Sequence, residues 1–387
     1  MGAGRRGWRR RTGPIAVQES LFEIEAKPGV RYYRQILDAL TRSGFADDAP
    51  AAEGVASRLL GTVWASEGPP RDGGVEETFG LGLVDHARQR RTPTSVILLR
   101  TLQVVATIRE VRESAAAAAD AMITGGLPQP EWISQFEVLP TGRCWAYEDA
   151  FGDMTSVICE YERQHGDAHA IMIQVDHAMF STASEISVIE DVDATVRDLQ
   201  NATQTTDPTF AIRLVDPPWA RALLERAFTR TDLIDGVQVG HGFAELRALA
   251  LVRLRALPDA PGVLQPEPRQ PGPDERQALV DEFLGSPEGR AIPDRIGAER
   301  IARLIAEYAS AYDPVDMARV SPAKWEIFVS DWLPRRITGG PALRAIIADV
   351  VRAWSAWAAR RRHLAEPMRD MLSRAVEEIT RGAALDT

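Results

Sequence analysis

The spacing of hydrophobic residues divides the chain into a helical region, an alternating region and a second helical region. Between residues 30 and 60, the runs YYRQILDAL and AAEGVASRLLGTVW repeat apolar positions every three or four residues, as amphipathic helices do. A later apolar run predicts one long helix that starts near Thr94 and ends at Gly125-Gly126. Thr92 or Thr94 is the expected N-cap, and Pro93 falls in the first turn.

The period changes after the run LPQPEW. Apolar and polar residues then alternate, and β-branched and aromatic residues are frequent, which predicts β-strands. We expect four antiparallel strands at about 143–149, 154–162, 168–176 and 184–189. A helix (DVDATVRDLQN), a strand (TFAIRLV) and two helices (DPPWARALLERAFTR and AELRALALVRLRALP) are expected to follow.

Only helical spacing follows the proline-rich stretch PDAPGVLQPEPRQPGPDE. The predicted fold class is therefore α+β, with an N-terminal helical segment, a central antiparallel sheet with flanking helices and a C-terminal all-helical domain. The predicted boundaries are a disordered basic arm at 1–20, a helical region at 21–130, an α+β domain at 131–257, a proline-rich linker at 258–273 and a helical domain at 274–387.

The small number of cysteines excludes two classes of protein. Cys144 and Cys159 are the only two cysteines, which excludes a disulfide scaffold and a four-cysteine zinc site. They fall in one predicted hairpin, so pairing is possible without being implied, and a reducing cytoplasm is the simpler expectation. We expect no signal peptide and no transmembrane helix, because neither apolar pattern occurs.

The net charge of −10 is concentrated in the predicted central domain. Residues 131–257 contain ten arginines against twenty acidic residues, a net charge of −10, so the charges of the remaining segments sum to zero. A nucleic-acid-binding surface is therefore not expected in this domain, because phosphates require neutralising cations.

Several runs resemble a known group of sequences. The segments WAYEDAFGD, HAIMIQVDH, DVDATVRDL, ARALLERAFTRTDL and VSPAKWEIFVSDWLPRRI are similar to a family of uncharacterised predicted proteins from high-GC actinobacteria, over roughly residues 90–380. That family has no assigned activity. The resemblance therefore implies an architecture and a cytoplasmic role, and it implies no reaction.

The run HGDAHAIMIQVDH contains three of the six histidines and suggests a metal site. His169 and His177 are separated by roughly 26 Å along one straight strand, so they cannot share a metal ion. Antiparallel pairing instead brings one hairpin turn and one strand end to the same edge of the sheet. The candidate ligands of a divalent metal are therefore Asp149, Asp153, Asp176 and His177. The alternative is a polar turn and strand end without chemistry.

Two further sets of residues are candidates for binding. The basic arm could contact nucleic acid or another anion through Arg5, Arg6, Trp8, Arg9, Arg10 and Arg11. The run SPAKWEIFVSDWLPRR could form a groove for a partner protein with Lys324, Trp325, Trp332, Arg335 and Arg336. A helix with a buried aromatic face is the alternative explanation of that run.

No convergent catalytic motif stands out, so the first hypothesis is a non-catalytic interaction or adaptor protein whose partner is another protein. The second is a metal-dependent hydrolase or a metal-regulated binder at the edge of the central sheet. The third is nucleic-acid binding through the N-terminal arm. The sequence leaves open whether the protein is an enzyme and whether it holds a cofactor.

Overall fold

The computed structural model describes residues 30–42, 45, 47–164, 168–205, 209–259, 262, 269–337 and 341–382. The chain forms two compact units, one of residues 1–136 and 244–252, the other of residues 137–243 and 253–387. The sequence predicts separate domains on either side of residues 258–273. Half of that stretch lies outside the described residues, and this boundary stays a prediction.

The chain alternates from helices to strands and back to helices. The first five helices are α1 (Val30–Arg42), α2 (Ala49–Ser66), α3 (Gly74–Arg90), α4 (Pro93–Val105) and α5 (Arg109–Thr124), followed by a 3-10 helix at Glu131–Phe136. The strands and the helices among them are β1 (Val138–Asp149), β2 (Met154–Arg163), β3 (Ala168–Asp176), β4 (Thr182–Ile189), α6 (Val192–Thr205), β5 (Phe210–Val215), α7 (Pro217–Leu233) and α8 (Phe243–Ala256). The last helices are α9 (Pro273–Gly285), α10 (Pro287–Arg290), α11 (Arg295–Tyr312), α12 (Pro322–Ile327), α13 (Pro341–Arg361) and α14 (Glu366–Gly382).

The prediction of one long helix starting near Thr94 is wrong, because the structure has two helices in this stretch, α4 and α5. Thr92 does cap the first of them, by accepting a hydrogen bond from the Ser95 amide. The chain leaves the helix at Ala106, and the Arg112 guanidinium donates to the carbonyls of Ala106 and Thr107. The Arg112 side chain thus pairs with the backbone carbonyls that the end of α4 leaves without partners. The apolar run in the sequence is continuous here, so it does not reveal the break between the helices.

A close helix contact organises the first unit. Residues 244–252 of α8 pack against α2, where the Ser57 hydroxyl donates to the carbonyl of Glu245 and accepts from the amide of Leu249. Gly61 lies so close to the carbonyl oxygen of Ala244 that a β-carbon would sit 1.9 Å from it. The absence of a side chain at this position therefore allows the two helices to approach.

The predicted α+β class is confirmed, and the second unit contains the antiparallel sheet. Its strand order is β4-β3-β2-β1-β5, so β4 and β5 are the two edges. One face is covered by α6 through Val192, Val196 and Leu199, and α7 packs against β4. All four predicted strands are present, and β1 starts five residues earlier than predicted.

The C-terminal helices pack around a core that contains several aromatic side chains. Its central side chains are Phe283, Tyr308, Phe328, Trp332, Trp354 and Trp357. Phe151, from the turn between β1 and β2, is buried in the same core. The end of the sheet is therefore anchored in the helical region by a side chain of the turn.

Within the described ranges, no helix has both the length and the apolar character that crossing a membrane requires.

Candidate functional site

The four predicted metal ligands lie together at the end of the sheet that carries the β1–β2 turn. Met154 is the cross-strand partner of Asp176, and the amide of His177 donates to the carbonyl of Asp153 over 2.7 Å. Antiparallel pairing therefore brings the turn and the strand end to one edge, as the predicted topology requires.

Asp149 and Asp176 each stabilise the turn in which they lie. Asp149 accepts hydrogen bonds from the amides of Phe151 and Met154, and Asp176 accepts from the amide of Met179 at 3.0 Å. Burial raises the pKa of both carboxyls, and the charge of Asp153 adds to the effect. The backbone donors in each turn already occupy these oxygens, which is the usual role of Asp in a turn.

Asp153 belongs to a buried network of charges instead. Arg319 Nη1 donates to the Asp153 carboxylate over 2.6 Å and to the carbonyl of Phe151 over 3.2 Å. The same guanidinium pairs with Asp313, and Lys324 Nζ lies 3.2 Å from the Asp313 carboxylate. Two cations and two carboxylates thus neutralise one another, as buried charges must.

Burial and the neighbouring charges shift the pKa values of Lys324 and Asp313 in opposite directions. Burial lowers the pKa of Lys324 to about 8, although Asp313 opposes the shift. Burial alone would raise the pKa of Asp313, but Lys324 and Arg319 hold it below its usual value. The carboxylate is therefore kept charged by its two cationic neighbours.

His177 holds together the turn between β3 and β4. Its Nε2 lies 3.0 Å from the Thr155 hydroxyl, and its Nδ1 lies 2.9 Å from the Ser181 hydroxyl. Burial lowers the pKa of His177 to about 4, with a smaller contribution from Arg319, so the ring is neutral near pH 7. A neutral ring can donate to one hydroxyl and accept from the other.

The same turn contains two residues in an unfavourable backbone conformation. Phe180 and Ser181 have φ of 62° and 56°, in the left-handed region that is uncommon for residues other than glycine. The Phe180 ring stacks on Tyr312 with 4.4 Å between centroids, and its carbonyl accepts from Arg230. Contacts with other elements therefore stabilise a turn that would be strained in isolation.

The geometry gives little support to the metal hypothesis. Among the residues that the structure describes, no three His, Cys, Asp or Glu side chains are grouped so that they could hold a metal ion. Each of the four predicted ligands instead has a protein partner. The hypothesis stays a prediction. The same holds for Arg5, Arg6, Trp8, Arg9, Arg10 and Arg11, which lie outside the described residues.

The groove predicted around Lys324 needs correction. Lys324, Trp325 and Trp332 are buried, so in this structure none of them can contact a partner. The spacing of the aromatic residues marks a core-facing surface, which was the alternative explanation. Arg335 and Arg336 are accessible, but Arg335 pairs with Asp331 and Arg336 lies 3.7 Å from the centre of the Trp332 ring.

The two edges of the sheet differ in their backbone partners. On β4, the carbonyl of Ser184 accepts from the amide of Gly240 over 2.7 Å, and that of Ala183 accepts from the Thr231 hydroxyl. On β5, the described part of the chain provides no hydrogen-bond partner other than β1 for the backbone of Phe210–Val215. The first residues of β4 thus have partners outside the sheet, whereas β5 has edge donors and acceptors without a partner in the described part of the chain.

The free edge carries an exposed apolar side chain. Leu214 is 69% exposed, although it lies opposite the buried Trp145 of β1. Arg213, the only charged residue of β5, makes two 3.0 Å hydrogen bonds to Glu148 and lies over the ring of Trp219. The charge that would normally discourage strand pairing at an edge is therefore neutralised within the sheet.

Sequence reasoning predicted the strand TFAIRLV but missed this edge. The strand follows β4 and α6 in the chain, yet it crosses the sheet and pairs with β1. No local signal in the sequence identifies the edge, because the strand would have the same pattern beside β4.

No family model, no curated protein and no solved structure matches the chain.

Proposed function

We propose that this chain is a non-catalytic interaction protein of the cytoplasm. Its partner is another protein, which adds an extended, basic segment to the free edge of β5. The observation that carries the proposal is that the β5 edge has no backbone partner besides β1 in the described part of the chain, whereas Ala183 and Ser184 of β4 have partners outside the sheet. Addition of a peptide strand to an open sheet edge is a common mode of recognition.

The length of β5 suits such a segment. Six residues span roughly 20 Å at about 3.3 Å per residue, enough to pair with five or six residues of a partner. Backbone hydrogen bonds would supply affinity, and Leu214 would pack against an alternate side chain of the added strand. The exposed leucine is then explained as part of the contact surface.

The charge of this part of the chain favours a basic occupant. Residues 131–257 contain ten arginines against twenty acidic residues. A basic segment would be attracted to this region, and its binding would weaken as salt is added. The cytoplasmic location rests on the two cysteines, neither of which is in a disulfide.

The test uses the full chain and a fluorescein-labelled peptide of about eight residues in which Arg and Val alternate. We expect binding at low salt, and we expect hydrogen–deuterium exchange to slow at residues 210–215 in the complex. Leu214→Arg should weaken binding by about tenfold or more, because it removes the apolar contact and repels the peptide.

The matched control is Val188→Arg, which adds the same charge to the other edge strand, β4, at a residue that is 43% exposed. It should leave the affinity unchanged. The proposal fails if the two variants weaken binding equally or if the peptide does not bind at low salt. A dimer of the wild type that Leu214→Arg dissociates would identify a second copy as the occupant instead.

A further inference from the structure

The two cysteines of the chain lie directly opposite each other in the sheet. Cys144 of β1 is the cross-strand partner of Cys159 of β2, and both side chains are buried free thiols. From this juxtaposition we propose that Cys144 and Cys159 are a modification site, at which a peroxide converts the two thiols into a reversible disulfide. The inference does not depend on the proposed docking edge.

Chance is a poor explanation of the contact. A buried side chain touches on the order of 6–12 others, so two cysteines placed at random in this chain of 387 residues would touch in roughly 2–3% of cases. Packing alone does not favour the pair over two other small apolar residues. The placement of the only two thiols therefore calls for a chemical explanation.

The geometry of the strands allows the bond. Residues directly opposite in antiparallel strands have β-carbons about 4.5–5.5 Å apart, and a disulfide requires about 3.5–4.5 Å. The Cys144 side chain is close enough to Cys159 to raise the pKa of its thiol. The pairing of β1 with β2 is irregular between Pro140 and Cys144, where Gly142 has φ of +84°. This irregularity allows the small approach that remains.

Both thiols lie in the same buried environment. The contact with Cys144 and burial both raise the pKa of Cys159, so Cys159 keeps its proton. Either sulfur can make the first attack, because both thiols are buried and each lies opposite the other.

The reaction balances with hydrogen peroxide as the oxidant. The sulfur of one cysteine attacks one peroxide oxygen, the O–O bond breaks, and the hydroxide that leaves takes up the thiol proton to form water. The sulfur of the other cysteine then attacks the resulting sulfenic acid, the S–O bond breaks, and a second water leaves with the proton of the attacking thiol. The two sulfurs lose two electrons in total, and peroxide gains them.

The experiment treats the reduced, native full-length protein with hydrogen peroxide, quenches it with acid, and alkylates it in denaturant. We expect a mass loss of about 2 Da, loss of both alkylatable thiols, and a peptide that crosslinks Cys144 to Cys159. Dithiothreitol should restore the original mass. Cys144→Ala and Cys159→Ala should each lack the mass loss.

The peptide map of the wild type tests the proposal even if a variant fails to fold. The proposal is overturned if native protein gains oxygen atoms as sulfinic or sulfonic acid while the crosslinked peptide is absent. It is also overturned if the crosslink forms only after denaturant has been added, or only between two chains.

Discussion

Arg319 Nη1 lies 2.6 Å from the Asp153 carboxylate, although the two residues are 166 positions apart in the chain. The contact joins the turn between β1 and β2 to the segment that precedes α12. Both side chains are largely buried, and Phe151 of the same turn is packed in the core of the C-terminal helices. Within the second unit, this ion pair and this aromatic side chain together attach the sheet end to the helices.

Replacing Arg319 should therefore destabilise the protein strongly. Arg319→Ala leaves Asp153 without its cation and removes one of the two cations beside Asp313, in a region with little water. Breaking a buried ion pair on one side costs about 3–5 kcal/mol in free energy of unfolding. Urea denaturation followed by circular dichroism measures this quantity.

The control is Arg303→Ala. Arg303 pairs with Glu299 over 2.6 Å, but both side chains are about half exposed, so the expected cost is below about 1 kcal/mol. Equal losses in the two variants would show that the buried network does not stabilise the fold as described.

His177 should make stability depend on pH in mildly acidic solution. Its pKa is about 4 in the folded chain and 6.5 in the unfolded chain, because burial disfavours the charged ring. The stabilisation is complete above pH 6.5 and is lost as the pH falls toward 4. The loss should reach about 2 kcal/mol at pH 5.

The variant His177→Gln isolates this contribution, because Gln can still hydrogen-bond to hydroxyls but does not titrate. Asp149 and Asp176 titrate in both proteins, so their effects cancel in the comparison. We expect the free energy of unfolding to fall more steeply in the wild type between pH 7 and pH 5. Parallel curves would contradict the assignment.

Two glycines of α2 should respond in opposite directions to substitution by alanine. At Gly61 a β-carbon would lie 1.9 Å from the carbonyl oxygen of Ala244, and at Gly54 it would meet nothing within 4 Å. Gly61→Ala should cost about 1–3 kcal/mol through overpacking. Gly54→Ala should stabilise by about 0.5–1 kcal/mol, because alanine is the better helix former.

Thermal unfolding of the two variants tests this prediction, and each serves as the control for the other. A higher melting temperature for Gly61→Ala would show that α2 and residues 244–252 are not in close contact.

Local patterns predicted much of the fold. Alternation located the four consecutive strands, and Thr92 with Pro93 located the start of α4, because these signals depend on neighbouring residues. Antiparallel pairing also predicted that Asp153 and His177 would meet. The function of the carboxylate was not predictable, because its partner Arg319 lies far along the chain and no local pattern connects the two.

The position of β5 within the sheet was also not predictable from the sequence. A strand following β4 and α6 can pair with β4 or cross to the opposite edge, and TFAIRLV has the same alternation in both cases. Lys324 illustrates a related difficulty. A lysine between tryptophans suggests a surface, but the cost of burying it is offset here by Asp313.

The crossing of β5 to the far side of β1 has a consequence for synthesis on the ribosome. The strands β1 to β4 are consecutive hairpin partners, whereas β5 is made about 60 residues after the end of β1. At about 5–20 residues per second, the nascent chain spends roughly 3–12 s with the edge of β1 unpaired. The backbone beside Trp145 and Tyr147 is then open to other chains, so slow translation through α6 would favour aggregation.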